Sequence, residues 1–194
     1  MPFATTDFQQ QVPKEQTDSG LTPLLLIPRV PTQDDFDTIL EMRRITGWDQ
    51  DLVPKWFELQ EQGLRYQWLF SQPSQPDVPI AMVALDLIDY FWHKDRDVAS
   101  REDGRVCITS LNIAPACRGK GYGTWIVRWV EEQARELLGE QLKHFTMHTW
   151  YQNETSINMF SKLGYVKFKE QPRYYEEGGE IDNRVIAVFM EKRV

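Results

Sequence analysis

The period of apolar and polar positions changes several times along the chain, and each change marks an element. Residues 21–30 (LTPLLLIPRV) form an apolar run broken by prolines, which predicts an edge strand. Thr32 is a capping residue followed by Asp34 and Asp35, and Phe36, Ile39, Leu40 and Met42 then recur at helical spacing until Gly47. A second helix is expected from near Asp51, carrying Leu52, Trp56, Phe57 and Leu59. Strands are predicted over 65–70 and 80–88, on either side of the turn-forming SQPSQP segment. A β-branched strand over 105–113 ends before Pro115.

The strongest helical pattern runs from Thr124 to Leu138, with Trp125, Ile126, Trp129, Val130, Ala134, Leu137 and Leu138 on one broad face and Gly139 as its stop. The tail alternates again: a strand over 145–149, a helix over 155–163 stopped by Gly164, a strand over 165–170, a loop over 176–183 and a last strand over 185–191. The order β-α-α-β-β-β-α-β-α-β-β describes an α/β fold, a mixed sheet with helices packed on it. Residues 1–20 are polar and aperiodic and read as a flexible arm; residues 21–194 hold no repeat or linker and read as one domain. Residues 89–104 mix aromatics with charges and form a long loop, the kind that is usually functional or disordered.

Composition narrows the function classes. Of the 194 residues 41% are hydrophobic and 12% aromatic, enough for a folded globular protein. A net charge of −7 without any basic run counts against nucleic-acid binding and leans towards a basic or amine-bearing partner. Two cysteines, Cys107 and Cys117, do not make a disulfide framework and suggest a reducing compartment. The first residues show no basic segment followed by an apolar one, and no run is long enough to span a bilayer. A soluble cytoplasmic or nuclear protein is the expectation, with no membrane partner.

Between a strand and the longest helix lies Arg118-Gly119-Lys120-Gly121-Tyr122-Gly123. A helix N-terminus leaves backbone N–H groups unpaired and suits a phosphate, and glycines let the backbone approach it. Arg118 and Lys120 add positive charge. The segment lacks the Ser or Thr after Gly-Lys of a P-loop, and Ile126 stands where a dinucleotide fingerprint needs its third glycine. A plain helix-starting turn is the bland alternative.

The stretch Leu111-x-Ile113-x-Pro115-x-x-Arg118-Gly119-x-Gly121-x-Gly123 resembles the acetyl-CoA signature of the GNAT acyltransferase superfamily. A second block, Asn153-x-x-Ser156-x-x-Met159-Phe160-x-Lys162-x-Gly164-Tyr165, is similar to that family's N-x-x-A-x-x-x-Y-x-K-x-G-F. The resemblance covers about residues 105–170 closely. It implies a mostly antiparallel central sheet flanked by helices and acetyl-CoA (coenzyme A) as acyl donor. By the same resemblance the backbone from Gly119 to Thr124, including Lys120 and Tyr122, would hold the pyrophosphate. The strand edge at Leu111, Asn112 and Ile113 would hold the pantetheine arm, with Asn153 and Phe160 beside it.

Acetyl transfer to an amine needs a base for the ammonium proton and an acid for the departing thiolate. The family's usual acid is a tyrosine at the position of Phe160, and a phenyl ring has no proton to give. The strand 105–113 has no carboxylate to act as base, only Cys107 and Thr109. On the next strand Phe145, Met147 and Thr149 alternate with His144, Thr146 and His148, so the second set faces away from the apolar core. The tail resembles the protein Nα-acetyltransferases, among them the bacterial ribosomal-protein alanine N-acetyltransferases, in which a glutamate on this strand, twelve positions before the acid, is the base. His148 stands twelve before Phe160, and histidine is a residue type that can take up and release a proton near neutral pH. An ordinary hydrogen-bonded histidine is the alternative.

In the same protein Nα-acetyltransferases a Tyr-Tyr pair helps grip a peptide N-terminus, and Tyr174-Tyr175 resembles it; tyrosines covering a hairpin mouth are the alternative. The loop bearing Tyr90, Phe91, Trp92 and His93 is expected to overhang the acceptor side, where aromatics and acids suit a small amine. Gly47-Trp48-Asp49-Gln50 shows no likeness to the peptide-binding loop of those enzymes. A small-molecule amine and a peptide N-terminus both stay open, as does a catalytically silent acyl-CoA-binding domain, for which Phe160 speaks. A phosphate or nucleotide binder unrelated to acetyl groups is the remaining rival.

Overall fold

A computed structural model describes residues 25–91, 94–174 and 181–194 of the chain. The arm 1–20, Trp92, His93 and Tyr175 lie outside them. The elements, in chain order, are β1 (Ile27–Arg29), α1 (Phe36–Thr46), α2 (Val53–Glu61), β2 (Arg65–Gln72), β3 (Gln75–Asp86), β4 (Arg105–Ile113), α3 (Tyr122–Leu138), β5 (His144–Trp150), α4 (Glu154–Lys162), β6 (Val166–Tyr174) and β7 (Ile181–Arg193). The order is the one the sequence periods predict.

The seven strands form one sheet in the order β1-β2-β3-β4-β5-β7-β6, antiparallel at every pairing except the parallel β4–β5 contact. Alternation along the strands sorts side chains onto two faces. Trp68 and Phe70, Val83 and Leu85, Val106 and Ile108, and Phe145 and Met147 face α3, where they bury Ile126, Trp129, Val130 and Ala134. Trp129 meets Trp68 and Phe70 edge-on, each at 5.3 Å between ring centroids. The intervening positions Leu69 and Met82 face the other way and pack under Ile39, Trp56 and Phe57 of α1 and α2.

Farther along this second face the cover is the 89–104 loop instead of a helix. Val98 and Ala99 pack on Cys107, Ala187 and Phe189. Thr146 Oγ1 donates to Val98 O, and Lys169 pairs with Asp95. Thr146 is therefore fully buried, and the face predicted to open from His144 to His148 opens only at His148. Asp89 shapes the loop from within, its carboxylate accepting from Phe91 N (3.0 Å) and Asp95 N (2.7 Å).

Element ends follow local chemistry. Thr32 and Asp35 form a capping box ahead of α1, with Thr32 N donating to Asp35 Oδ2 at 2.9 Å. Gly47 closes α1 in the left-handed conformation. Helix α3 begins two residues before the predicted Thr124, because Gly121 caps it at φ 85° and Tyr122 enters the first turn.

Candidate active site

Two parallel strands that separate create the site. Strands β4 and β5 pair from Arg105↔His144 as far as Ile108↔Met147. Beyond that point β4 stays with β3 while β5 continues with β7. The cause is an extra residue: Met82 pairs with Asn112 and Ala84 with Thr109, so three steps on β4 match two on β3. Ser110 sits in this bulge at φ 56°, and a bulge bends and twists its strand. A cleft of about 490 Å³ fills the resulting gap, with Thr109 and Leu111 on one side and His148, Asn153, Ser156 and Phe160 on the other.

Below the bulge a buried polar group fixes its geometry. Arg65, 0% exposed, donates through Nη1 to Asp86 Oδ1 (2.6 Å), Tyr90 Oη (3.2 Å) and Thr109 Oγ1 (3.1 Å), and through Nη2 to Ser110 Oγ (2.8 Å). Its guanidinium lies 4.4 Å from the ring centroid of Trp56. Burial alone would push this group down, but the Asp86 carboxylate and the hydrogen bond to it prevail and hold it above its ordinary value. Burial pushes the Tyr90 hydroxyl up, so it stays protonated. Asp86 also accepts from Thr109 Oγ1 at 2.7 Å, so a carboxylate of β3 lies against β4, which carries none of its own.

His148 is half-buried, lines the cleft, and borders a second cavity of about 50 Å³ that reaches Asp86 and Thr109. Its Nδ1 lies 3.7 Å from Cys107 Sγ, and its ring packs on Phe189 at 5.6 Å. Cys107 is buried, and burial pushes its thiol up, so it stays a neutral partner and no thiolate nucleophile. His144, at the other end of β5, does not line the cleft; burial and then Arg105 lower its proton affinity.

Phe160 is 2% exposed and stacks edge-on against Tyr165 at 4.9 Å. Tyr165 cannot stand in as an acid, because its hydroxyl donates to buried Glu131 at 2.9 Å and is held protonated by burial. Asn153 caps α4: its Oδ1 accepts from Ser156 N (3.3 Å), and its Nδ2 donates to Thr149 Oγ1 (3.0 Å), tying the helix to β5.

The glycine segment lies at the far end of β4. Gly119 (φ 74°) and Gly121 (φ 85°) are both left-handed, and a side chain added at Gly119 would meet only open space. The N–H groups of Tyr122, Gly123 and Thr124 stand in the first turn of α3, where a helix supplies no acceptor. Gly123 serves packing, since a Cβ there would stand 2.8 Å from Met159 Sδ. Lys120 is exposed, whereas Arg118 turns back and donates from Nε to Ile113 O (2.9 Å). The Tyr122 ring is buried with its hydroxyl accepting from Gln72 Nε2 (2.7 Å), so only its backbone faces the turn. Asn112 likewise has its side chain committed elsewhere, to Met42 O at 3.0 Å. Tyr174 ends β6, with its side chain outside the described residues.

Arg43, Trp48 and Asp49 also line the cleft, and none stood out in the sequence as a site residue. The one available signal was a Trp-Asp pair directly after a helix-ending glycine.

Comparison with known proteins agrees with this geometry. The acetyltransferase (GNAT) family model matches residues 34–165. The uncharacterized N-acetyltransferase YdgE of Bacillus subtilis (strain 168) is 30% identical over 88 residues, 39% of this chain and 54% of that protein. The chain thus spans about half the length of this curated relative. Spermidine N-acetyltransferase from Vibrio cholerae, solved with CoA and spermine, superposes with a TM-score of 0.64 at 14% identity, over 87% of this chain and 95% of that one. Ribosomal-protein-alanine N-acetyltransferase from Brucella melitensis gives 0.62 at 14% identity, over 87% and 99%. At such identities the likeness is one of fold. The family match spans α1 to Tyr165 and takes in the bulged strand, the glycine turn and the second block: the chain belongs to the acetyltransferase (GNAT) family.

Proposed function

We propose that the protein is an acetyl-CoA-dependent N-acetyltransferase acting on a primary amine, with the cleft between β4 and β5 as the site of transfer. The observation that carries this reading is the parting of the two strands after Ile108 and Met147, with a glycine-capped helix N-terminus at one end and His148 in the opening. The residues present fit coenzyme A. The first-turn amides of α3 and the two left-handed glycines offer donors to a pyrophosphate, and Lys120 adds charge. The β4 edge from Leu111 to Ile113, turned away from β5, offers backbone groups to the amides of a pantetheine arm.

Acetyl-CoA supplies the activated acyl group as a thioester. His148 takes the proton of the incoming ammonium, so that the amine can form its N–C bond as the C–S bond breaks. Cys107 and Phe189 hold the imidazole in place. With Phe160 at the acid position, the thiolate leaves unassisted or is protonated by water; a thiol leaves more readily than most groups, its pKa being about 8.5. A small amine and a peptide N-terminus are both open acceptors.

The test is thiol release from acetyl-CoA across a panel of amines and peptides, run beside a thermal-shift comparison of coenzyme A with ATP. Stabilisation by coenzyme A and turnover that falls at least about a hundredfold in His148→Gln are expected. Stabilisation by ATP alone would sink the reading. Binding of coenzyme A without turnover on any amine would favour a silent acyl-CoA-binding domain, a second reading that rests on Phe160.

A further inference from the structure

Granting acetyl transfer in this cleft, we infer that the acceptor is a zwitterionic, amino-acid-type amine whose carboxylate is held by Arg43 and whose apolar body rests on Trp48 and Trp150. Arg43 lies in the last turn of α1, and its side chain is only 7% exposed, yet it lines the cleft. Its Nε donates to Trp48 O (3.0 Å), and its Nη2 donates to Asp49 Oδ2 (2.8 Å). Those bonds occupy two of the five donors of a planar guanidinium whose fork matches a carboxylate. Burial pushes Arg43 down from its ordinary value, and Asp49 pulls the other way.

The same two bonds fix the wall beside it. Gly47 ends α1 at φ 78°, and Asp49 follows at φ 58°, a conformation few residues other than glycine adopt. Arg43 holds that turn through the carbonyl of Trp48 and the carboxylate of Asp49. Trp48 is thereby set edge-on to Trp150, at 5.7 Å between centroids. Trp150 lines the cleft, and its indole N–H is buried without an acceptor among the described residues.

The charge balance separates acceptor classes. Among the described residues the fixed charges lining the main cleft are Arg43 and Asp49, which sum to zero. A polyamine would bring several positive charges to Arg43, with Arg65 buried behind it. A simple anion would meet Asp49, with Asp86 and Asp89 lining the adjoining cavity. A molecule bearing one ammonium and one carboxylate complements both partners, and it leaves the ammonium within a cleft that His148 also lines.

The test is kcat/KM, by thiol release with the full-length protein, for alanine, leucine and phenylalanine against their carboxamides, with phenethylamine and spermidine alongside. Amide amines are less basic and more fully deprotonated near neutrality, so intrinsic reactivity favours the amides. At least one acid is expected to exceed its amide about tenfold or more. Arg43→Gln should bring that ratio towards one, and Arg43→Lys should leave it in between; a ratio within one preparation is insensitive to partial misfolding. An amide, phenethylamine or spermidine at or above every acid overturns the zwitterion and leaves acetyl transfer standing. Coenzyme A binding with no turnover on any of the eight compounds or on the wider panel overturns both.

Discussion

Replacing Arg65 tests the idea that a buried ion pair sets the shape of the cleft. The Arg65 and Asp86 side chains are 0% and 4% exposed and lie 2.6 Å apart. In Arg65→Met the stem volume survives, but Asp86 keeps its charge with only Thr109 still donating to it among the bonds described above. Stranding one member of a buried pair typically costs about 3–5 kcal/mol. Against a total of about 5–15 kcal/mol for a folded domain, that is a large fraction. With a urea slope of about 2 kcal/mol per molar, the midpoint should fall by about 1.5–2.5 M. Replacing both partners, as Arg65→Met with Asp86→Leu, removes the stranded charge, and most of the loss should return. The coupling energy should be about 2–4 kcal/mol.

Urea titrations followed by tryptophan fluorescence give the four midpoints of the cycle; Trp56, under the guanidinium, is one of the seven tryptophans that report. Acid should reduce the loss in the single variant. An unpaired buried carboxylate has its pKa raised on folding, so taking up a proton favours the folded state, and the penalty of Arg65→Met should shrink as pH falls from 7 towards 5. A midpoint shift under about 0.5 M, or additive single effects, would refute the reasoning.

Three further outcomes are expected. Gly121→Asp places a side chain at φ 85° and a negative charge where phosphate is proposed to bind, so coenzyme A binding measured by calorimetry should disappear; unchanged affinity would remove the turn from the binding site. Phe160→Tyr puts a hydroxyl at the proposed acid position and should raise kcat about tenfold or more with little change in coenzyme A affinity, whereas an unchanged kcat would mean the thiolate needs no acid. The bidentate hydrogen bonds from Arg29 (2.6 and 2.7 Å), opposed in part by burial and helped by Thr32 N–H, hold the Asp35 carboxyl below the ordinary carboxylate range. Its contribution is therefore present above about pH 4 and lost as pH falls through the lowered folded value, and at 39% exposure of Arg29 it is worth under about 1 kcal/mol. The difference in Tm between the protein and Asp35→Asn should close between pH 5 and 2; a constant difference would refute it.

What could be read from the sequence is what local chemistry encodes. Gly47, Gly139 and Gly164 stop helices where their spacing says, and the period-two alternation of β5 puts Phe145 and Met147 in the main core and turns His148 towards the second face. The glycine turn announces itself because φ values of 74° and 85° call for that residue. The proposed acceptor end is different in kind. Arg43, Asp49, Arg65, Asp86 and Thr109 come from five separate segments, and no spacing within any one of them signals the others. Ser110 is equally silent, because a bulge is a mismatch between two strands and belongs to neither sequence alone. Thr146 misled for a related reason: alternation gives its face, but only the tertiary path of the 89–104 loop decides that the face is covered there.

The bulge and the ion pair are parts of one device. A continuous β4 could pair with β5 along its whole length and leave no cleft. The extra residue prevents this by turning the strand at Ser110, and a non-glycine residue at φ 56° costs about 1–3 kcal/mol unless its surroundings hold it. Arg65 holds it through Nη2 while Nη1 draws in Asp86 and Thr109. A single buried guanidinium therefore opens the proposed acyl-donor side, where β4 leaves β5. It also carries the Asp86–Thr109 pair to the cavity that His148 borders on the proposed acceptor side. This dependence explains why a charge so costly to bury stands in the middle of an apolar sheet. An apolar residue at position 65 would give a more stable sheet only together with an apolar residue at 86, and that sheet would lose both the hydrogen bond holding the bulge and the carboxylate of the cavity that His148 borders.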